Sequence, residues 1–344
     1  MRAVLLEKFG GPEGLVDGTL PMPKVGTDDV LIRVEAVGFN PTDYQLRQSG
    51  HPSLSLPTVL GRDVAGTIEA TSDAVTAFKP GDAVYVNLVP KKAGGYAEFV
   101  AIPHWFVAMK PSTLSFLEAA AVPVAAMAAF QSLQRVRPGP AKSLLVTGGS
   151  GGVGSWVITL AKAFGMTRIV ATAGSGASRA NIGTAHGIAD DRIVGYAGLS
   201  RRELAAAAVA ANEGKLFDIA LDCVGGAMTH LCCDAVEFGG DVVSVVNGPK
   251  DQSHGIDEAD EDNLFDRSAA FHFELVSGLA YYGPVERQGL YGDQLREIAA
   301  LIDAGRVCMP SVTNLGLLSA AVVREAHDQL ESGHTIGKLV ATIG

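Results

Sequence analysis

The stretch Val146–Trp156 reads VTGGSGGVGSW and places five glycines within seven residues. Gly149, Gly151 and Gly154 match the G-x-G-x-x-G spacing of a strand-to-helix turn that holds a dinucleotide pyrophosphate. The alternative is an ordinary flexible turn, because a chain with 41 glycines produces such a match by chance. The sequence on either side of the turn has to decide between them.

That flanking sequence has the pattern strand, turn, helix, strand. SLLVT before the turn is a compact apolar run, Trp156, Leu160 and Phe164 recur at helical spacing, and RIVAT reads as a second strand. This context favours pyrophosphate binding, with free N–H groups and the dipole at the helix start holding the phosphates. The turn residues predicted to bind the cofactor are Gly149, Ser150, Gly151, Gly152, Val153 and Gly154.

The cofactor is predicted from the end of the second strand. NAD-specific sites place an acidic residue there against the ribose 2′-hydroxyl, but no Asp or Glu lies between Gly154 and Asp190. Ser175 and Arg179 instead offer a hydroxyl and a guanidinium suited to a 2′-phosphate. We therefore expect NADPH, with the alternative that Arg179 only lies on a solvated helix face.

Two domains are expected for 344 residues. The first third alternates short strand-like runs with Gly, Pro and Asp, which indicates a largely antiparallel, barrel-like domain. From residue 143 onward, strands such as FDIALD and DVVSVV alternate with helices, which indicates a parallel doubly wound sheet.

Composition excludes several classes of partner. The net charge of -10 and the lack of clustered Lys and Arg argue against nucleic acid and anionic membrane surfaces. The longest apolar run, residues 119–130, is too short to span a bilayer, and MRAVLLEKFGG at the start has no secretory h-region. Four cysteines without C-x-x-C spacing indicate a reduced, cytoplasmic setting.

Several spaced motifs resemble one family from end to end: LGRDVAGTI, FKPGDAVYV, GGYAEFV, VTGGSGGVG, FDIALDCVGG and GHTIGKLVATIG. The chain resembles the medium-chain dehydrogenase/reductase superfamily, in particular its zinc-independent quinone oxidoreductase branch and the zinc-type alcohol dehydrogenase-like subgroup. The resemblance implies an α/β fold with a GroES-like partly open β-barrel catalytic domain at residues 1–124 and 276–344. It also implies a Rossmann doubly wound NADP-binding domain at residues 125–275 and a homodimer formed through the cofactor domains.

The resemblance also bears on the metal. Metal-using relatives have a zinc-binding Cys where this chain has Asn40 and a His ligand where it has Arg62, and neither side chain can replace those ligands. The four-cysteine structural zinc lobe is missing too, so we expect no metal. Interconversion of a simple alcohol and its ketone passes through an alkoxide, which a Lewis acid stabilises. Without a metal, the sequence therefore favours a quinone or an α,β-unsaturated carbonyl as the hydride acceptor.

The resemblance suggests catalytic candidates in the first domain. Asn40 is placed toward the nicotinamide, or else is a turn-forming Asn before Pro41. Tyr44 can donate a proton, although the branch often has its tyrosine one residue later. His51 can donate as well, or it is a surface loop residue. Arg62 is expected to be mainly structural, pairing with Asp43, with a smaller chance of touching substrate.

Further cofactor contacts are carried over from the resemblance. Ala128 stands where relatives commonly direct a threonine hydroxyl at the cofactor, and an alanine has no hydroxyl to make that contact. Lys338 is either part of the cofactor site or a strand-edge lysine. The remaining candidates follow the later strands and are Val224, Gly225, Val246, Asn247 and Gly248.

The sequence favours a metal-free NADPH-dependent oxidoreductase of quinones or enones. The alternatives are an alcohol dehydrogenase, an enoyl-thioester reductase, or a noncatalytic NADPH-binding protein. A basic patch for a coenzyme A phosphate is missing, which makes the thioester the weaker alternative.

Overall fold

The computed structural model describes residues 1–89, 94–246 and 264–344. These residues form two compact units. Residues 1–127, 277–305 and 311–344 make the first unit, and residues 128–276 with 306–310 make the second. The predicted assignment of a catalytic and a cofactor domain to particular residue ranges stays a prediction.

Strands and helices follow each other along the described chain with the following bounds. The strands are β1 (Arg2–Leu6), β2 (Leu15–Thr19), β3 (Asp29–Gly38), β4 (Thr58–Val59), β5 (Asp63–Thr71), β6 (Ala83–Asn87), β7 (Phe99–Pro103), β8 (Val107–Met109), β9 (Ser143–Val146), β10 (Arg168–Ala173), β11 (Ile193–Gly195), β12 (Phe217–Asp222), β13 (Val236–Ser244), β14 (Ala270–Phe273), β15 (Val312–Leu317) and β16 (Lys338–Thr342). The helices are α1 (Pro41–Ser49), α2 (Phe116–Ala120), α3 (Pro123–Val136), α4 (Gly152–Ala163), α5 (Gly176–His186), α6 (Arg201–Ala211), α7 (Ala227–Ala235), α8 (Gly278–Tyr282), α9 (Leu290–Asp303) and α10 (Ala320–Glu331).

The first unit is built on a largely antiparallel sheet in the order β15-β16-β3-β5-β6-β8, with β7 also paired to β3. A smaller sheet has the order β2-β1-β4. In the large sheet Gly38 of β3 pairs with Asp63 of β5 on one side and with Val340 of β16 on the other. Continuing the antiparallel register by two residues sets Lys338 opposite Asn40. Three polar side chains from distant parts of the sequence are thereby brought together at the end of β3.

The second unit contains a six-stranded parallel sheet in the order β11-β10-β9-β12-β13-β14. Counted within the unit, this order is 3-2-1-4-5-6, the doubly wound arrangement that binds dinucleotides where the strand order reverses. The reversal lies between β9 and β12, and the glycine turn follows β9. The core beneath the sheet contains the fully buried Leu145, Phe217 and Ala220.

The predicted fold class, an antiparallel first domain and a parallel doubly wound sheet, is confirmed. Pro123 separates two helices, because α2 ends at Ala120 and Pro123 is the first residue of α3. Helix α1 was not predicted from periodicity. Its buried residues are the charged Asp43 and Arg47, so it has no apolar stripe that a pattern search would detect.

Candidate active site

The glycine turn of the second unit joins β9 directly to α4. Gly148 has a φ of +62° and is the residue at which the chain turns, one position before the first glycine of the G-x-G-x-x-G match, Gly149. The Gly148 N–H donates to Thr172 Oγ1 at 3.0 Å, which ties the turn to the end of β10. Gly151 precedes the first helical residue, and no side chain caps this helix end. The first N–H groups of an α-helix have no acceptor within the helix, so this end of α4 can donate to an anion.

The other fingerprint glycines allow close packing. A Cβ on Gly154 would lie 2.2 Å from the Gly148 carbonyl oxygen, and one on Gly149 would lie 2.9 Å from Ala171 Cβ. A Cβ on Gly151 would meet nothing closer than 3.4 Å. The close packing of α4 on the turn therefore requires a glycine at position 154. At position 151 it does not, and Gly151 leaves space above the turn. Ser150 is buried, and Gly152 and Val153 form the first turn of α4.

Val224, Gly225 and Val246 converge on the same strand ends. A Cβ on Gly148 would lie 2.7 Å from Val224 Cγ2, and a Cβ on Gly225 would lie 3.0 Å from Val246 Cγ1. Val224 is 46% exposed despite its apolar side chain. The other two candidates of this loop, Asn247 and Gly248, lie outside the described residues.

The loop after β12 is organised by Asp222, a residue that the sequence analysis did not select. Its Oδ1 accepts from the N–H groups of Val224 at 3.0 Å and Gly225 at 2.9 Å. Its Oδ2 accepts from the hydroxyls of Thr229 at 2.6 Å and Ser244 at 3.0 Å. A fully buried carboxylate with this many donors fixes the backbone of Val224 and Gly225. An acidic residue that ends the strand FDIALD directly before a glycine-containing loop was the available signal.

The end of β10 carries the predicted 2′-phosphate residues. Ser175 is the N-cap of α5 and accepts from Ser178 N–H at 3.1 Å. Arg179 Nε pairs with Asp190 Oδ1 at 2.6 Å, and its other nitrogens donate to the carbonyls of Asp190 and Ile193. Tyr196 follows β11, and its hydroxyl lies 2.4 Å from where a Gly174 side chain would begin. The sequence analysis missed Tyr196, whose position one residue after a strand was the available signal.

In the first unit, Lys338 is buried and hydrogen-bonded by its ammonium to three acceptors. They are Phe39 O at 3.0 Å, Asn40 Oδ1 at 2.5 Å and Asp63 Oδ2 at 3.1 Å. Asn40 Nδ2 also donates to Asp63 Oδ2 at 2.9 Å. The amide of Asn40 is thus oriented by a cation at its oxygen and a carboxylate at its nitrogen. One Nδ2 hydrogen remains for another acceptor, since an amide carries two.

Asp43 lies under this group on α1, with its Oδ2 accepting from Asn40 N–H at 2.9 Å. Burial raises the pKa of Asp43 to about 7, and the nearby Asp63 charge adds to this, whereas the Arg62 and Lys338 charges and the Asn40 N–H oppose it. The Tyr96 hydroxyl lies beside the carboxylate, and burial raises the pKa of Tyr96 well above its usual value. Neither that hydroxyl nor Asp43 Oδ1 has a hydrogen-bond partner of good geometry.

Arg62 does not form the expected salt bridge with Asp43, although its charge lowers the pKa of that carboxyl. Its Nη2 donates to Ser277 Oγ and, at 3.4 Å, to Asn87 Oδ1. Arg62 is also hydrogen-bonded to the Tyr281 hydroxyl. Burial raises the pKa of Tyr281, and the Arg62 charge partly opposes this rise. Arg62 is therefore held by neutral oxygens.

The candidates His51 and Tyr44 differ in their surroundings. The ring of His51 lies 5.0 Å from the ring of Tyr281, and its Nδ1 is 2.7 Å from Ser53 Oγ. The structure thereby brings His51 to the group around Arg62. Tyr44 is half-buried on α1. Ser277 and Tyr281 were not predicted, because they lie more than two hundred residues from Arg62 in the chain.

No three His, Cys, Asp or Glu side chains within residues 1–89, 94–246 and 264–344 form a group that could hold a metal ion. At the two positions where zinc-using relatives have their ligands, the Asn40 amide bonds to Lys338 and Asp63, and the Arg62 guanidinium carries a positive charge of its own. In those described ranges, moreover, every helix is too short or too polar to cross a membrane.

Comparison with known proteins gives matches to both parts of the chain. Residues 26–112 match the alcohol dehydrogenase GroES-like domain and residues 195–340 match the zinc-binding dehydrogenase domain. The chain is 29% identical to an NADPH-dependent alkenal/one oxidoreductase of Arabidopsis thaliana, over 99% of this chain and 79% of that protein. It is 31% identical to a chloroplastic quinone-oxidoreductase of Triphysaria versicolor, over 73% of this chain and 76% of that protein.

A solved structure agrees with these matches. An alcohol dehydrogenase superfamily protein from Novosphingobium aromaticivorans has a TM-score of 0.84 with this chain, at 27% identity and with both chains covered completely. The GroES-like unit and the doubly wound unit together define an oxidoreductase of the dehydrogenase type. The chain belongs to the medium-chain dehydrogenase/reductase superfamily, and the predicted resemblance to its quinone oxidoreductase branch is confirmed.

Proposed function

We propose that this chain is an NADPH-dependent, metal-free oxidoreductase that transfers hydride to a quinone or an α,β-unsaturated carbonyl. The observation that carries the proposal is the glycine turn at the strand-order reversal, with uncapped N–H groups at the start of α4. The relatives named as alkenal/one and quinone oxidoreductases support this class of acceptor.

The residues of the second unit fit a dinucleotide. The space above Gly151 suits a pyrophosphate, and the exposed Val224 suits an apolar ring. Ser175, Arg179 and Tyr196 lie at the neighbouring strand ends and can donate to a 2′-phosphate, for which Arg179 has to exchange its exposed partner Asp190. NADPH, when bound, supplies a hydride from its nicotinamide ring.

The first unit supplies polar groups for the acceptor. Asn40 keeps one N–H for a carbonyl oxygen, and Tyr44 and His51 are the proposed proton donors. A metal-free mechanism follows from the chemistry of Asn40 and Arg62, which provide an amide and a guanidinium where relatives that bind zinc use a thiolate and an imidazole. Lys338 supports the site through Asn40, an indirect role instead of a cofactor contact.

The proposal includes the domain assignment and the setting of the enzyme. Residues 1–124 and 276–344 form the catalytic domain, and residues 125–275 form the NADP-binding domain. A cytoplasmic homodimer is expected from the cysteine pattern and from the family resemblance. Light scattering on the purified protein gives the mass that tests the dimer.

The first experiment is an acceptor screen that follows NADPH oxidation by absorbance. Quinones and enones should be reduced, whereas the corresponding saturated ketones should react at least about 100-fold more slowly, because hydride addition to a conjugated carbon leaves a delocalised anion. NADH should be the poorer donor. Metal analysis of the same preparation is the control and should give no stoichiometric zinc.

Three results would contradict the proposal. Oxidation of simple alcohols with NADP⁺ and tightly bound zinc would identify an alcohol dehydrogenase. Efficient reduction of enoyl thioesters but not of free enones would identify the thioester reductase. Tight NADPH binding without turnover of any acceptor would identify a noncatalytic NADPH-binding protein.

A further inference from the structure

Three cationic side chains are buried within the described residues, and all belong to the first unit: Arg47 at 1% exposure, Arg62 at 4% and Lys338 at 4%. A buried charge is costly unless a counter-charge and hydrogen bonds compensate it. The counter-charges and hydrogen-bond acceptors around each cation therefore distinguish a structural cation from one that can bind a ligand.

Arg47 and Lys338 are fully compensated. Arg47 forms a salt bridge with Glu331, donates to the Gly10 carbonyl oxygen, and donates from Nε to His327 Nδ1 at 3.2 Å. Lys338 forms a salt bridge with Asp63 at 3.1 Å, and its three N–H groups have three acceptors. Both charges are therefore compensated within the protein.

Arg62 is different. Its hydrogen-bond partners are the uncharged oxygens of Ser277, Asn87 and Tyr281. No carboxylate of the described chain forms a salt bridge with it, and its buried Nε has no hydrogen-bond partner. Because a guanidinium keeps its charge at any accessible pH, Arg62 stays a cation without a salt bridge in the described chain, and an anionic ligand would supply one.

We propose that Arg62 is a catalytic residue, whose guanidinium charge binds the carbonyl oxygen of the acceptor and stabilises the oxyanion that forms as hydride arrives. The Ser277 and Tyr281 hydroxyls hold the guanidinium in orientation. The inference rests on the proposed reductase function and assigns its electrophile, a role that zinc-using relatives give to a metal ion.

The electron balance of this step is complete. The acceptor gains a hydride at its β-carbon, the pair of electrons of its C=C bond shifts, and the carbonyl π pair moves onto oxygen to give an enolate. This oxyanion is hydrogen-bonded and ion-paired with Arg62. A proton from water then forms the new C–H bond at the α-carbon, and NADPH has been oxidised to NADP⁺.

The test compares Arg62→Met with Arg47→Met, a matched removal of a buried guanidinium from the same unit. With NADPH and an enone that the wild type reduces, Arg62→Met should lower kcat/KM by about 100-fold or more, the usual effect of losing one oxyanion donor. Its NADPH affinity and its thermal midpoint should not fall. Arg47→Met should lower the thermal midpoint and leave kcat/KM of the folded protein within a few-fold. Arg62→Lys should recover part of the activity.

A second readout does not depend on turnover. The probe is 4-nitrophenol, whose phenolate has its own visible absorbance and resembles an enolate oxygen. With NADP⁺ present, the wild type should bind the phenolate and lower the pKa of the bound phenol, and Arg62→Met should abolish this change.

Wild-type values of both kcat/KM and phenolate binding in Arg62→Met would overturn the role of Arg62 and leave the reductase function standing. A wild type that reduces no acceptor would overturn the function instead. In that case phenolate binding that depends on Arg62 still supports an oxyanion site, and binding independent of Arg62 overturns it.

Discussion

Arg179 shows how a residue predicted for one task can be engaged in another. Its guanidinium ties α5 to the segment before β11 through Asp190 and Ile193. The pair lowers the pKa of Asp190 and raises that of Arg179, so both stay charged. A bound 2′-phosphate, with a larger negative charge, has to compete with this exposed carboxylate for the guanidinium.

This competition gives a prediction about cofactor preference. Arg179→Ala should weaken NADPH binding by about tenfold or more and NADH binding by less than about twofold, because a charge-assisted bond to phosphate contributes more than about 1.4 kcal/mol. Asp190→Asn, the control, should leave NADPH affinity unchanged or improve it. Both dissociation constants can be measured by nucleotide fluorescence. Equal losses for the two nucleotides in Arg179→Ala would show that Arg179 only fastens α5.

The candidate site could be predicted from the sequence only in part. Asn40 and Lys338 were identified individually because each stands in a family motif. Their hydrogen bond could not be predicted, because it depends on the register of β16 against β3, nearly three hundred residues apart. Arg62 was expected to pair with Asp43 or, as the alternative, to touch substrate. That it forms no salt bridge in the described chain could not be predicted, because this depends on packing and has no signature in the sequence.

At the scale of elements, the β9–α4 turn separates two reasons for a glycine. Gly154 is required because the helix approaches the turn so closely that a Cβ would meet the Gly148 carbonyl oxygen. Gly151 has a φ of −75° and no such neighbour, so the protein fold alone would accept alanine. In a turn with the dinucleotide spacing, this is the position at which a glycine lets a pyrophosphate approach the backbone.

We therefore predict opposite outcomes for two substitutions in the same turn. Gly154→Ala should destabilise the protein by about 2 kcal/mol or more, because packed backbone has to move. Gly151→Ala should unfold at the wild-type urea concentration but bind NADPH at least about tenfold more weakly, since its methyl group occupies the space proposed for the pyrophosphate. Urea unfolding and NADPH titration measure the two effects. Wild-type NADPH affinity in Gly151→Ala would contradict the assignment of this space.

For the whole molecule, buried titratable groups act on stability in opposite directions as pH changes. Burial lowers the pKa of His186 to about 4 and that of His327 to about 3, so the stability that these neutral rings contribute is lost as pH falls below about 6.5. Asp43 has its pKa raised to about 7. The folded state keeps a proton that the unfolded chain releases above about pH 4, so its contribution is lost as pH rises toward about 7.

The Asp43 contribution can be isolated with Asp43→Asn, which keeps the shape and the acceptor for Asn40 N–H. Relative to this variant, the wild type should lose about 2 to 3 kcal/mol of unfolding free energy between about pH 5 and about pH 8. Urea unfolding at both pH values gives the difference, in which the histidine contributions cancel. Asp73→Asn, at an exposed position, serves as the control. A difference that does not change with pH would mean that Asp43 ionises as in the unfolded chain.

The sequence by itself determined the fold class, the two-domain pattern, the glycine turn and the family, because apolar periodicity, turn residues and spaced motifs are local properties. Only the tertiary structure decided which side chains compensate one another. VTGGSGGVGSW predicted the turn, but the packing assigns the sharp bend to Gly148 and the close approach to Gly154. Likewise Lys338 has three acceptors and Arg62 keeps an unpaired Nε, because the compensation of a buried charge depends on which distant strands the sheet brings together.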